Sequence, residues 1–318
     1  IAVHGNEIFR AAHEKGVIVA FEAAVAGGIP VIKSLREGLG ANRIEWVAGI
    51  INGTGNFILT HMRDEGRAFE DVLAEAQALG YAEADPTFDV EGIDAAHKLT
   101  ILASIAYGVP LQFEKAFTEG ISRITAEDVE QADNLGYVIK HLGISKRTDQ
   151  GLELRVHPTL IPKERLLANV HGVKNAIAVM GDAVGPTLYY GAGAGAEPTA
   201  SAVVADLLDV ARDIATDHHY RVPYLAFSGI DEDVSQLPIM PMEEITTAYY
   251  LRLLAVDRPG VLARVATILA EQGISIEALI QKEATEGELV PIILLTHRTK
   301  EKQMNEAIRE IEAMADIA

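Results

Sequence analysis

The chain has 318 residues, enough for two or more domains with a substantial core. Its 46 acidic against 27 basic residues leave a net charge of −19, which argues against nucleic acid or an anionic membrane as partner, since both call for basic patches. Cysteine is absent, so disulfides and thiolate metal sites are excluded and a cytoplasmic setting fits; no apolar run approaches the roughly 18 residues of a membrane span.

The opening residues, Ile1 to Glu7, lack the charged and apolar regions of a signal peptide and carry no initiator methionine, so they read as an internal starting point. His4 to Lys15 predicts a helix and Val17 to Glu22 a buried strand. Gly27-Gly28-Ile29-Pro30 turns the chain, with Pro30 suited to open a helix reaching Leu39. Arg43 to Ile51 predicts a strand, Asn52-Gly-Thr-Gly-Asn56 a loop, and Phe57–Asp64 and Phe69–Leu79 two helices, with Gly80 as C-terminal cap. A further helix runs from Gly92 to Tyr107 and stops at Gly108-Val-Pro110. Thr125-Ala-Glu-Asp128 resembles a capping box and opens a helix that ends before Gly136. Tyr137–Arg147 with Leu152–Pro158, and Asn175–Met180 with Thr187–Tyr190, predict two hairpins. Gly191-Ala-Gly-Ala-Gly195 precedes a long apolar helix, Pro198 to Ile214. Asp217 to Thr247 loses periodicity and reads as a linker; its adjacent His218 and His219 point apart on any regular element and make a poor metal site. The remainder reads strand, helix, strand, strand, helix over Tyr249–Val256, Pro259–Gln272, Ile274–Lys282, Leu289–Thr296 and Lys300–Met314, leaving Ala315 to Ala318 short for a fourth strand. The expected class is mixed α/β (α+β): helices on one face of a mixed sheet, then a small ferredoxin-like βαββαβ unit.

The richest chemistry lies in Gly80 to Lys98, where Glu83, Asp85, Asp89, Glu91 and Asp94 precede a single lysine. At 3.6 residues per turn, Asp94, Lys98, Ile101 and Ile105 share a face of a helix that is apolar almost all round. An ordinary surface pair at i,i+4 would give the same spacing. The apolar neighbours and the acidic run favour a shielded polar site instead, because buried charges must be paired. A carboxylate hydrolase using Glu83 and Asp94 is conceivable, but it leaves Lys98 without a role.

Ala76, Gly80, Asp85-Pro86, Asp89, Gly92, Asp94 and Lys98 together resemble the signature of homoserine dehydrogenases, and the resemblance runs along nearly the whole chain. It implies NAD- or NADP-dependent interconversion of L-homoserine and L-aspartate 4-semialdehyde, on the route to threonine, methionine and isoleucine. It makes Lys98 the proton-transfer group and Asp94 its orienting partner. A free lysine titrates near about 10.4, so base action there calls for desolvation. The matching positions give Glu83 and Asp89 to the substrate ammonium and Gly53, Thr54 and Tyr81 to other substrate contacts. Gly195 falls at a cofactor-binding position, and Glu22, Val25, Gly27 and Ile29 at backbone carbonyls that hold sodium. The glycines at 191–195 lack the acid about 20 residues on that a dinucleotide fingerprint requires.

Residues 249–318 are similar to an ACT amino-acid-sensing domain, with Asp257-Arg-Pro-Gly-Val-Leu262 at its first strand-to-helix turn. This implies an amino-acid effector, threonine, bound around Asp257, Gly260, Val261 and Leu262. The expected division is residues 1–20 as a remnant of a nucleotide-binding domain, 21–216 catalytic and dimerising, 217–248 linker and 249–318 regulatory. Family members begin with a complete Rossmann domain, so the chain is expected to bind cofactor poorly alone, and to form a homodimer or homotetramer. The competing reading is a non-catalytic, amino-acid-sensing binding protein with a vestigial acidic site.

Overall fold

The computed structural model describes residues 1–216, 222–225, 237–281 and 289–318; His218 and His219 fall outside them. Two compact units result, Ile1–Ile239 and Met240–Ala318.

In the first unit α1 (Gly5–Lys15) ends at Gly16, and residues 17–21 then run without regular structure into a 3-10 turn, Glu22–Ala24. The strand expected at Val17–Glu22 is not formed. An apolar run becomes a strand only where a sheet edge accepts its backbone groups; here Val17 N–H bonds Ala12 O and Val17 O accepts the Tyr224 hydroxyl. The helix expected from Pro30 to Leu39 is divided: α2 (Val31–Lys33) passes into a π-helical turn, Ser34–Gly38.

Strand β1 (Ile44–Ile50) leads into α3 (Gly53–Glu65), which begins four residues before the expected Phe57. Asn52 caps it, its Oδ1 accepting the Gly55 N–H at 2.8 Å, and burial of Thr54, Gly55 and Asn56 offsets the poor helix propensity of the two glycines. α4 (Phe69–Ala78) and the unforeseen one-turn α5 (Thr87–Val90) precede α6 (Ile93–Tyr107). Short β2 (Phe117–Thr118) is followed by α7 (Ala126–Asn134), where Thr125 and Asp128 form the reciprocal capping box. The hairpins β3 (Tyr137–Thr148) with β4 (Gly151–Pro162), and β5 (Lys174–Gly181) with β6 (Gly185–Ala192), run several residues longer than expected. α8 (Ala196–Ala215) closes the run.

The six strands form one mixed sheet in the order β2-β4-β3-β1-β5-β6, antiparallel except for β2 with β4. Helices α3, α6 and α7 lie against β3, and α6 also covers β1 and β4. Val47, Leu154, Val156 and Ile177 meet Leu99 and Leu102 of α6 in the main core. Among the described residues no helix is long and apolar enough to cross a membrane.

The second unit has β7 (Thr246–Thr247), β8 (Tyr250–Val256), α9 (Val261–Glu271), β9 (Ile276–Gln281), β10 (Leu289–Thr296), β11 (Thr299–Lys300) and α10 (Glu301–Glu312). β8-β10-β9 form an antiparallel sheet over which Val265, Leu269, Met304 and Ile311 pack. The last residues make no strand, yet Val256 N–H donates to Asp316 O and Ala318 N–H to Leu254 O at the free edge of β8. β7, inside the expected linker, pairs with β11.

Candidate active site

Asn52 leaves β1 where the strand ends, and α6 presents Asp94 and Lys98 to it. Helix α6 begins at Gly92 with φ 80°, and a Cβ there would lie 2.9 Å from the His141 ring. Only glycine meets both conditions, and the turn so formed places Asp94 in the first turn of the helix.

Lys98 Nζ lies 2.7 Å from Asp94 Oδ2 and donates to Ile51 O at 3.2 Å. Both side chains are partly shielded, 21 % and 17 % exposed, so the pair sits at the mouth of the apolar helix. The same Asp94 oxygen accepts Asn52 Nδ2 at 2.8 Å, and Asn52 Nδ2 also donates to Asp89 Oδ1 at 2.7 Å. Thus Asp89, Asp94 and Lys98 are brought together, with Asn52 between the two carboxylates. His97, between Phe88 and Phe113, is pushed below its usual range by burial, against the pull of the Asp94 charge.

Thr54 Oγ donates to Tyr81 O at 2.6 Å and ties the first turn of α3 to the acidic loop. Tyr81 is exposed, its ring 5.2 Å from that of Phe57. Gly53 sits so close to the next strand entry that an added Cβ would be 2.9 Å from Val173 O. Glu83 is exposed on the same loop; its carbonyl accepts Gln77 Nε2 at 3.0 Å, and its carboxylate makes no ion pair among the described residues. Asp85 instead turns onto the start of α5, accepting the Thr87 hydroxyl and N–H, which hold its carboxyl below the usual carboxylate range.

The other expected positions form a second group. Gly195 precedes α8, whose N-terminus has no side-chain cap. Its loop packs on the turn after Glu22: Gly28 N–H donates to Ala192 O at 3.0 Å, and a Cβ on Gly27 would stand 2.7 Å from Gly193 O. Val25, Ala26 and Ile29 are buried, and Ala26 has φ 54°, so this turn is tightly curled. The Ile29 carbonyl accepts the Val31 N–H at 2.7 Å. Glu22 Oε1 and Oε2 accept the Ile32 and Lys33 N–H groups and cap α2, while burial raises its carboxyl above the usual value.

The two groups are joined through β5. Val173 abuts Gly53, Asn56 Nδ2 donates to Lys174 O at 3.1 Å, and Asn175, 1 % exposed, lies against Gly193 with neither amide atom hydrogen-bonded among the described residues. Asn175 is thus a buried amide closed over by the glycine loop, since a Cβ on Gly193 would overlap its side chain. Sequence reasoning missed Asn52, Asn56, Asn175 and the buried Lys140, whose Nζ donates to Asn56 Oδ1 at 2.9 Å. For Asn52 the preference of asparagine for helix caps was the available signal; for the others, on strands or inside a helix, none was available.

Residues 30–208 match the family model of homoserine dehydrogenase, and residues 249–316 that of the ACT domain. A homoserine dehydrogenase of Pseudomonas aeruginosa is 69 % identical over the whole chain, which spans 73 % of that protein. The crystal structure of a homoserine dehydrogenase from Thiobacillus denitrificans superposes with TM-score 0.94 at 67 % identity, over 100 % of this chain and 72 % of its own. A hyperthermophilic archaeal homoserine dehydrogenase in complex with NADPH matches over 67 % of this chain and 61 % of its own, with 30 % identity and TM-score 0.58. By sequence and by fold alike, the chain belongs to the homoserine dehydrogenase family, NAD(P)-dependent oxidoreductases, and carries an ACT domain.

Proposed function

We propose that Lys98 and Asp94 carry the proton step of homoserine oxidation and its reverse. A bound nicotinamide would supply the hydride acceptor for the carbon bearing the hydroxyl. Lys98, as a free amine, takes the hydroxyl proton as the carbonyl forms, and as an ammonium returns it in reduction. Asp94 aims Lys98 and balances the charge it acquires. Asp89 and Glu83 supply anionic partners for the substrate ammonium, with Tyr81, Thr54 and Gly53 shaping the wall beside them. The observation carrying this reading is the Lys98–Asp94 pair at 2.7 Å, set into an apolar helix beside Asp89. Homoserine-dependent reduction of NAD and NADP by the intact protein tests it, with Lys98→Ala alongside: kcat falls by about 10²–10⁴-fold in the variant. A Lys98→Ala enzyme with parental kcat would overturn the assignment, and no turnover with either cofactor would favour the amino-acid-sensing alternative.

In this reading the cofactor lies on the side of Gly195, at the start of α8, where the N-cap glycine offers no side chain to cap the helix. Because the glycine loop joins the antiparallel strand β6 to α8, it is no βαβ phosphate cradle. This loop is therefore expected to hold NADPH only weakly by itself, so Gly195→Ala should leave the calorimetric Kd within about tenfold of the parent. Sodium fits the curled turn of Glu22, Val25, Gly27 and Ile29, whose carbonyls would hold it and fix the loop against Gly193. Exchange of sodium for choline should then lower the thermal midpoint.

Threonine is the effector in this reading, bound where Gly260, with φ 94°, starts α9 at Val261 and Leu262, next to Asp257. Threonine should inhibit the intact enzyme, and Asp257→Ala should weaken that inhibition. A homodimer, or a tetramer built from it, forms through the sheet face opposite α6. There Tyr190 and Leu188 of β6 align with Ala176 and Ala178 of β5, and Met180 with Trp46 of β1. Tyr190 and Leu188 are exposed. A cytoplasmic location completes the proposal.

A further inference from the structure

The proton-transfer pair is not self-contained. Asp94 Oδ2 accepts from Lys98 Nζ and, on the same oxygen, from Asn52 Nδ2. The other Nδ2 hydrogen goes to Asp89 Oδ1, and Asn52 Oδ1 accepts the Gly55 N–H. A primary amide has two N–H hydrogens and one carbonyl oxygen, so every polar group of Asn52 has a destination. Reversing the amide would aim its oxygen at two carboxylates. Asn52 is buried, 6 % exposed, which keeps bulk water from replacing any of these bonds.

We propose that Asn52 is a positioning residue that couples the substrate-binding carboxylate to the proton-transfer pair. It sets the separation of Asp89 and Asp94 and ties both to the junction of β1 and α3. The inference rests on the reading of Asp94 and Lys98 given above. Two carboxylates this close repel each other unless donors lie between them. With the amide in place both carboxylates are oriented, Asp94 toward Lys98 and Asp89 with its second oxygen making no hydrogen bond among the described residues and turned to the substrate ammonium in this reading. Helix capping alone would not need asparagine, since serine and aspartate cap about as well. The bridge tolerates neither: serine is too short to reach across, and ionised aspartate has no hydrogen to donate. The two roles are therefore separable by substitution.

The test is steady-state homoserine oxidation by the intact enzyme from pH 6 to 10, comparing parent, Asn52→Ser, Asn52→Asp and Lys98→Ala, with thermal midpoints measured in parallel. Asn52→Ser should stay folded with kcat reduced about 10–100-fold, a several-fold higher KM for homoserine and an unaltered KM for cofactor. Asn52→Asp, which puts a third carboxylate beside Asp89 and Asp94 in place of the donating amide, should lower kcat at least as far as Asn52→Ser. If Asn52→Asp fails to fold, Asn52→Ser decides. Parental kcat and homoserine KM in folded Asn52→Ser would overturn the proposal, as would losses that merely track the folded fraction. Lys98→Ala separates the two failures: an inactive Lys98→Ala beside parent-like Asn52 variants removes the role of Asn52 alone, while an active one removes the proton-transfer reading beneath it.

Discussion

Lys140 has the least accommodating environment of any cation among the described residues. It is 1 % exposed on β3, and its Nζ donates to Asn56 Oδ1 at 2.9 Å and to Val170 O at 2.5 Å, both neutral acceptors. Burial, with a contribution from the Arg63 charge, pushes its ammonium down to about 7 from 10.5. Between those two values the unfolded chain holds a proton that the folded chain has released, so stability rises with pH across that window. Below about 7 both states are protonated and the folded state bears the whole cost of the buried ammonium. Relative to Lys140→Met, the parent should thus gain on the order of 1 kcal/mol per pH unit within the window, read from urea midpoints at pH 7 and 9. A constant difference would show that Lys140 keeps its charge when folded. The lysine matters for the site because Asn56, which it holds, also donates to Val170, Gly172 and Lys174 carbonyls beside the entry to β5.

At the scale of elements, the first turn of α3 positions more of the site than any other segment. It carries Gly53 and Thr54, receives its cap from Asn52, and meets Val173 without room for a Cβ. Gly53→Ala must displace either the turn or the Val173 backbone, and if the site is as proposed, such a shift should lower kcat/KM about 10–100-fold with the fold retained. Thr125→Ala at the start of α7 is the contrasting case. It removes one half of a capping box and should cost about 1 kcal/mol of stability without changing kcat; denaturant midpoints and initial rates check both. The start of α3 was misplaced from sequence because Gly53 and Gly55 disfavour helix, and burial overrode that preference. Val17–Glu22 failed for the converse reason: β-branched residues alone provide no edge to pair with.

For the molecule as a whole, the sheet divides its labour. One face packs on α3, α6 and α7 and fixes the site, while the opposite face offers Leu188 and Tyr190 of β6 to the surface. If that face joins two copies, Leu188→Glu together with Tyr190→Glu should halve the mass measured by sedimentation, since buried carboxylates without partners are costly. A parent that sediments as a monomer at micromolar concentration would remove this assembly. The ACT unit has its own core around Val265, Leu269 and Met304, so if threonine is the effector as proposed, its inhibition and catalysis should be lost independently by substitutions in the two units.

What the sequence determined by itself is whatever local spacing dictates. Asp94 and Lys98 four apart on an apolar helix, the Thr125 cap, the two long hairpins and the βαββα order of the last 70 residues all follow from periodicity and turn chemistry within short windows. Tertiary structure alone decided that Asn52 lies between Asp89 and Asp94, residues 37 and 42 positions away. It likewise decided that Lys140 is buried against Asn56, and that Asn175 faces Gly193. Such pairings depend on which strand end meets which helix start. No local pattern encodes them, because side-chain chemistry states what a residue can bond while packing chooses the partner.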